Sequence, residues 1–181
     1  MLNYEDAKAL VLKNIKPLEK EFCILEKSQD RALSIDILAP HGMPLFDNSA
    51  VDGYAVKSSD LDCASPINPI FLKNLGYIAA GDTLKKKISS GECVQIATGA
   101  PLPGEADTIV KMEDVELEDS HVRFSSSIPK TENVRYQGED IPKGKSVISK
   151  GTLIGPAQIA VLATFGFTEV PVRRIPNVSI I

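Results

Sequence analysis

Three short stretches of the chain gather oxygen-bearing side chains beside glycine. The first holds Asn48, Ser49, Asp52 and Tyr54 around an Asp52-Gly53 step. The second runs Ala97-Thr98-Gly99-Ala100-Pro101, continues to Glu105-Ala106-Asp107 and reaches Glu113-Asp114. The third is Asn133-Val134-Arg135-Tyr136-Gln137-Gly138-Glu139-Asp140. Carboxylates from separate loops suit a hard cation such as Mg²⁺, which takes oxygen ligands and keeps water and substrate oxygens in its shell. The Thr98 hydroxyl and the glycine-flanked main-chain N–H groups suit an oxyanion. Arg135 suits a phosphate, which a guanidinium grips through two parallel bonds.

The same residues have plainer readings. Asp-Gly is a turn signal, because glycine takes φ > 0 without steric cost. Thr98-Gly99 is a common strand end, and Glu139-Asp140 a common solvated turn pair. Asp52 is set apart by its surround, since Ala50, Val51, Tyr54 and Val56 place the turn against apolar structure. No nucleophile–base pair stands out. The histidines, His41 and His121, lie outside all three stretches and read as a turn residue and a hairpin surface residue. Chemistry on a phosphate or oxyanion by metal and positioning fits this set better than covalent catalysis.

The elements that must position these groups form a β-rich region, residues 45–140, with strands expected at 70–79, 93–98, 108–112, 113–118 and 121–124. All three stretches fall at its loops or strand ends, where a rigid scaffold presents binding groups. The flanks are mixed. Asn3 caps a helix carrying Ala7, Leu10, Val11 and Ile15 at helical spacing, with Pro17 just past its end. A strand is expected at 22–25 and a helical turn at 28–33. Leu33, Ile35 and Ile37 alternate with polar residues as a half-buried strand. After residue 140, two similar turns end in Gly144 and Gly151. A helix opens at Gly155-Pro156, with Ile159, Leu162 and Ala163 as its apolar face and Gly166 beyond its end. A strand follows at 168–172, then the linker Arg173-Arg174-Ile175-Pro176. The apolar run 178–181 is either an edge strand or the first strand of a further domain. The second is preferred, because a terminus inside an apolar run is unusual.

The bulk numbers bound the rest. A length of 181 residues suits one medium domain or two small ones. With 43% hydrophobic and 24% charged residues, the core needs no staples. The net charge is −4 and the one basic run, Lys85-Lys86-Lys87, is short, which argues against nucleic acid as a partner. Cys23, Cys63 and Cys93 are odd in number and form no CxxC, against a disulfide framework or zinc site and for a reducing compartment. Glu5, Asp6 and Lys8 interrupt any signal-peptide core, and no apolar run approaches the ~20 residues that span a bilayer. A cytoplasmic protein without a membrane segment is expected.

Taken in order, these motifs resemble one family. Asn48 to Val56 is similar to the S-A-M-D-G-Y-A motif of the MoeA family, the molybdopterin molybdenumtransferases related to the C-terminal domain of gephyrin. Thr98-Gly99-Ala100-Pro101 with Pro103 and Ala106-Asp107 resembles its T-G-A-P…P-x-G-A-D segment. Asn133-Val134-Arg135 with Gly138-Glu139-Asp140-Ile141 resembles N-x-R…G-E-D-I, and Arg31 sits where the family has A-L-G-R-V-L. Departures are Val51 for methionine, Asp30 for glycine, and Glu105 where glycine precedes Ala-Asp.

The resemblance implies an α+β, β-rich fold: an elongated mixed domain from residues 1–44 and 141–181, with a small all-β domain, 45–140, inserted. It implies insertion of molybdate into adenylylated molybdopterin with release of AMP, assisted by Mg²⁺. Asp52, Thr98 and Asp140 become the catalytic residues, with Asp52 and Asp140 organising metal or water and Thr98 contacting an oxyanion. Ser49 and Arg135 become substrate-binding residues. The implied state is a homodimer, with the molybdopterin adenylyltransferase as a further partner. Family members continue into an α/β domain that binds molybdopterin and then a small β domain. The chain is thus expected to be the N-terminal region alone, inactive by itself. The alternative is a non-catalytic dimerisation or scaffold module on the same fold.

Overall fold

The computed structural model describes residues 2–82 and 87–180. Lys85 and Lys86 of the basic run, and Ile181, lie outside the described residues. In chain order the elements are helix α1 (Tyr4–Asn14), strands β1 (Lys20–Ile24), β2 (Ile37–Leu38), β3 (Asn48–Ser49), β4 (Gly53–Val56), β5 (Ile70–Ile78), β6 (Glu92–Ile96), β7 (Thr108–Lys111), β8 (Val115–Glu118), β9 (His121–Phe124), β10 (Val134–Arg135) and β11 (Ser146–Ile148), helix α2 (Pro156–Thr164) and strand β12 (Glu169–Arg173). The fold is α+β and rich in strands. The chain divides into two compact units, one of Met1–Pro40 with Gly144–Ile181 and one of His41–Lys143.

In the first unit α1 is capped as the sequence predicts: the Asn3 Oδ1 accepts the Asp6 N–H at 2.8 Å, satisfying one of the helix's orphan donors. Yet α1 buries nothing, and Leu10, Val11 and Ile15 are exposed. The core lies elsewhere in the unit. Leu33, Ile37, Ile148, Ile154, Leu162, Val170 and Val172 pack together, drawing on β2, β11, α2 and β12. Helix α2 starts at Pro156 as expected, and Gly166 follows its end at φ 78°. Leu162 is buried, but Ala163 is exposed.

The stretch after β1 departs from expectation. The helical turn lies at Leu25–Lys27 rather than at 28–33. Ile35 is exposed while Ser34 is buried, so the predicted alternation through Leu33, Ile35 and Ile37 fails. The main-chain bonding explains this. Leu33 N–H donates to Thr152 O and the Leu33 carbonyl accepts from Gly151, whereas Ser34 N–H donates to Pro171 O and Ala32 O accepts from Arg173. A segment bonded alternately to two different neighbours is enclosed on both sides, and period-two burial does not apply. Arg31 adds a side-chain tie to Glu21 and to the Arg173 carbonyl. Residues 178–180 form no strand, and Val178 and Ile180 are exposed.

The second unit is built on a six-stranded sheet in the order β7-β4-β6-β5-β9-β8. Only β5 and β6 are parallel. Strand β4 lies inside the sheet and all four of its residues are buried. Its side chains alternate between two cores. Tyr54 and Val56 join Leu72, Cys93, Val110, Val122 and Phe124, whereas Ala55 joins Ile78, Ile88, Val94, Ile96, Ala100 and Ile109. The predicted β8–β9 hairpin is present, with Glu118 paired to His121 across Asp119 and Ser120. Asp119 takes the turn at φ 53°.

Candidate functional site

Strand β3 is only Asn48 and Ser49, yet it is where the three motif stretches meet. On one edge, Ser49 N–H donates to Ala100 O at 3.1 Å and Gly99 N–H donates to Ser49 O at 2.8 Å. On the other, β3 pairs antiparallel with β10, Ser49 opposite Val134 and Asn48 opposite Arg135. One residue on, Ala50 N–H donates to Asn133 O at 2.9 Å. Gly99 makes its turn at φ 77°, in the left-handed region that favours glycine.

Asp52 stands at the end of this loop, before β4. Thr98 gives its Oδ1 two hydrogen bonds, from the main-chain N–H at 2.7 Å and from the hydroxyl at 2.9 Å. These bonds, the main-chain one first, hold the carboxyl below its ordinary pKa. The side chain is exposed, and among the described residues its Oδ2 accepts no hydrogen bond. Asp52 is therefore a fixed, anionic group on an exposed side chain, with both Thr98 donors on one oxygen.

Gly53 has a different role from the one its sequence suggests. It does not sit at positive φ. A Cβ built there would lie 2.1 Å from the Val110 carbonyl oxygen of β7. Glycine is needed because two strands approach closely, not because a turn demands it.

Ser49 is buried, and its hydroxyl serves Val51, donating to the Val51 carbonyl and accepting the Val51 N–H. In this arrangement it shapes the loop ahead of Asp52. Arg135 donates from Nε to Glu139 Oε1 at 3.0 Å and from its terminal nitrogen to Asp140 Oδ2. Glu139 also accepts the Tyr136 N–H at 2.8 Å; that bond first, then Arg135, lowers its pKa. Arg135 in turn is raised above its ordinary pKa by Glu139 and Asp140. Asp140 thus shares its charge with Arg135.

Of the remaining acidic residues of the second stretch, Asp107 serves structure. Asp107 accepts the Ser58 N–H at 2.7 Å and its hydroxyl at 3.1 Å. Glu105 lies 3.7 Å from Lys57, and Glu113 and Asp114 are exposed on a turn after β7. Two contributors are given no function by the sequence reading. Asp47 Oδ1 accepts the Gln137 N–H at 2.8 Å, tying the third stretch to the segment before β3. Asn133, at φ 56°, donates its side-chain amide to Ile109 O at 2.9 Å. The sequence signals for the latter are its place at the head of the third stretch and the tolerance of asparagine for left-handed backbone.

Among the described residues no three His, Cys, Asp or Glu side chains gather as a metal cage. Mg²⁺ does not require one, since one or two carboxylates with water and substrate oxygens complete its shell. The ordered Asp52 carboxylate with its open oxygen fits that mode. No helix is long and apolar enough to cross a membrane among the described residues.

Residues 2–166 match the family model described as MoeA N-terminal region (domain I and II). The molybdopterin molybdenumtransferase of Staphylococcus aureus strain Mu50 is 41% identical over 158 residues, 87% of this chain and 38% of that protein. The enzymes of the same name from Synechococcus elongatus and Bacillus subtilis are 37% and 38% identical, across 95% and 90% of this chain and 43% and 39% of theirs. The chain therefore spans about two-fifths of the length of these relatives. A crystal structure of the molybdopterin biosynthesis MoeA protein from Pyrococcus horikoshii OT3 superposes with a TM-score of 0.88 at 31% identity, covering 95% of this chain and 46% of that one.

Proposed function

The chain belongs to the MoeA N-terminal family, and from that premise we propose that it supplies the substrate-positioning loops of a molybdopterin molybdenumtransferase. The reaction is insertion of molybdate into adenylylated molybdopterin with release of AMP. The observation that carries this reading is the junction at β3, which sets the Thr98–Asp52 pair beside the segment leading to Arg135, Glu139 and Asp140. A fixed carboxylate, a hydroxyl and main-chain N–H groups are what a reacting anion needs for positioning.

In this reading Asp52 orders a water or metal shell through its open oxygen. Thr98 fixes Asp52 and lies beside the oxyanion. Asp140 is a second carboxylate, tempered by Arg135. Ser49 acts on substrate through the loop it shapes, and Arg135 faces substrate with the donors left over from its acidic partners. Mg²⁺, held by Asp52 with Asp140, would neutralise charge building on the leaving phosphate. Activity is assigned to the intact enzyme with its molybdopterin-binding domain, acting as a cytoplasmic homodimer that receives adenylylated molybdopterin from the adenylyltransferase. A second reading, a non-catalytic dimerisation or scaffold module, draws support from the exposed apolar residues of α1.

The test is reconstitution of the intact protein with adenylylated molybdopterin, molybdate and Mg²⁺, following AMP release and cofactor formation. Both are expected. Asp52→Asn should lower both by about a hundredfold or more. Absence of turnover in the wild type favours the scaffold reading, and an unimpaired Asp52→Asn variant removes Asp52 from the machinery.

A further inference from the structure

Asn133 sits where the third stretch crosses between the Asp52 loop and the sheet. Its carbonyl accepts the Ala50 N–H at 2.9 Å, and its side-chain amide donates to Ile109 O on β7, also at 2.9 Å. The preceding residue continues the attachment, because Ile109 N–H donates to Glu132 O at 3.0 Å. Asn133 thereby closes a short bridge from β7 to Ala50. From Ala50 the chain reaches Asp52 in two residues, and β4, which begins at Gly53, pairs with β7 itself. The segment from Ala50 to Asp52 is thus held at both ends to one strand, through Asn133 at the near end and β4 at the far end. The bridge depends on two properties of asparagine. Its backbone tolerates φ 56°, and its short amide reaches a carbonyl that the sheet ladder leaves free.

We propose that Asn133 is a positioning residue that sets the Asp52 carboxylate against Thr98. The link to turnover rests on the molybdenumtransferase reading, whereas the link to Asp52 geometry does not. Without the amide, the loop that tethers Ala50 keeps its bonds to β7 at Glu132 and Thr131 but loses the tie at Asn133 itself. The segment then drifts, and the two Thr98 bonds to Asp52 lengthen.

The experiment reads the Asp52–Thr98 contact directly. The Thr98 amide, which donates to Asp52 Oδ1, is followed by ¹H–¹⁵N NMR through its chemical shift and its hydrogen exchange in wild type, Asn133→Asp and Asn133→Gly. The aspartate keeps the size and the left-handed tolerance but cannot donate to Ile109 O. The glycine keeps the backbone and removes the amide, and provides a second variant should the first fail to fold. Asn68→Ala is the control, since it removes an amide–carbonyl bond of the same kind, from Asn68 to Cys63 at 3.1 Å, elsewhere in the unit. The Thr98 amide should shift and exchange about tenfold faster in both Asn133 variants and stay put in the control. An unchanged Thr98 amide in a folded Asn133 variant overturns the proposal. In the intact enzyme the same variants should lose about tenfold or more in turnover, with KM little changed. A changed Thr98 amide with undiminished turnover leaves Asn133 positioning Asp52 and instead counts against Asp52 as a catalytic group.

Discussion

Thr98 places two donors on one oxygen of Asp52, its main-chain N–H at 2.7 Å and its hydroxyl at 2.9 Å. Forty-six residues separate the pair in sequence, so this contact is a product of the fold and reports on it. It lowers the Asp52 pKa below the ordinary 3.8. A group whose folded pKa is depressed contributes its full stability above the unfolded value and loses it as pH falls through the folded one. The contribution is small, because the carboxylate is exposed. Thr98→Val keeps the main-chain bond and removes the hydroxyl one. The Asp52 titration, followed by NMR, should move up part of the way to the ordinary value in that variant. A midpoint unchanged by Thr98→Val would show that the hydroxyl contributes nothing.

Two glycines separate two reasons for being glycine. At Gly53 a Cβ would meet the Val110 oxygen at 2.1 Å, with main chain that cannot step aside. At Gly91 a Cβ meets nothing within 4 Å, but φ is +81°. Gly91→Ala should cost about 1–2 kcal/mol, the strain of left-handed backbone. Gly53→Ala should cost about 3 kcal/mol or more, as overpacking between paired strands. Urea midpoints of the two variants decide the matter, and equal costs would remove the close-approach argument at Gly53.

Much of this was legible in the sequence, and the failures have physical causes. Asn3, Pro156 and Gly166 mark helix ends through local backbone chemistry, so they held. Asp119-Ser120 did the same for the β8–β9 hairpin. At Gly53 dipeptide chemistry predicts a turn, whereas close approach to Val110 is set by a strand more than fifty residues away. Alternation in its stretch places Ile35 inside, and only the tertiary bonds of Leu33 and Ser34 decide otherwise. At the candidate site, residue types pointed to Asp52, Thr98 and Arg135. That Thr98 would bind Asp52, and that Arg135 would turn to Glu139 and Asp140, required the fold.

The Tyr54 hydroxyl is buried and among the described residues has no hydrogen-bond partner. Burial pushes its pKa up first of all. Its ring packs edge-on against Phe124, with centroids 6.4 Å apart, a contact that phenylalanine preserves. A desolvated, unpaired hydroxyl opposes folding. Tyr54→Phe should therefore leave stability unchanged or raise it by about 1 kcal/mol, read from the denaturation midpoint. A loss of that size would mean that the hydroxyl holds a partner in solution.

Helices α1 and α2 carry apolar residues at similar spacing, and only one of them uses its stripe within this chain. Leu162 of α2 is fully buried in a core with Val170 and Val172. Leu10 and Val11 of α1 are 51% and 56% exposed. A helix of 11 residues is near the limit for standing alone in water, so α1 without buried contacts has little to hold it beyond its Asn3 cap. Leu162→Ala should cost this chain about 2–5 kcal/mol. Leu10→Ser and Val11→Ser should each shift it by no more than about 0.5 kcal/mol. Amides of α1 should exchange with solvent far faster than those of α2, because opening a helix end that buries nothing costs little. Slow exchange in α1, or a large cost for Leu10→Ser, would mean that the helix is covered in solution. Repeating both measurements across a tenfold range of protein concentration would then identify a second copy of the chain as the cover.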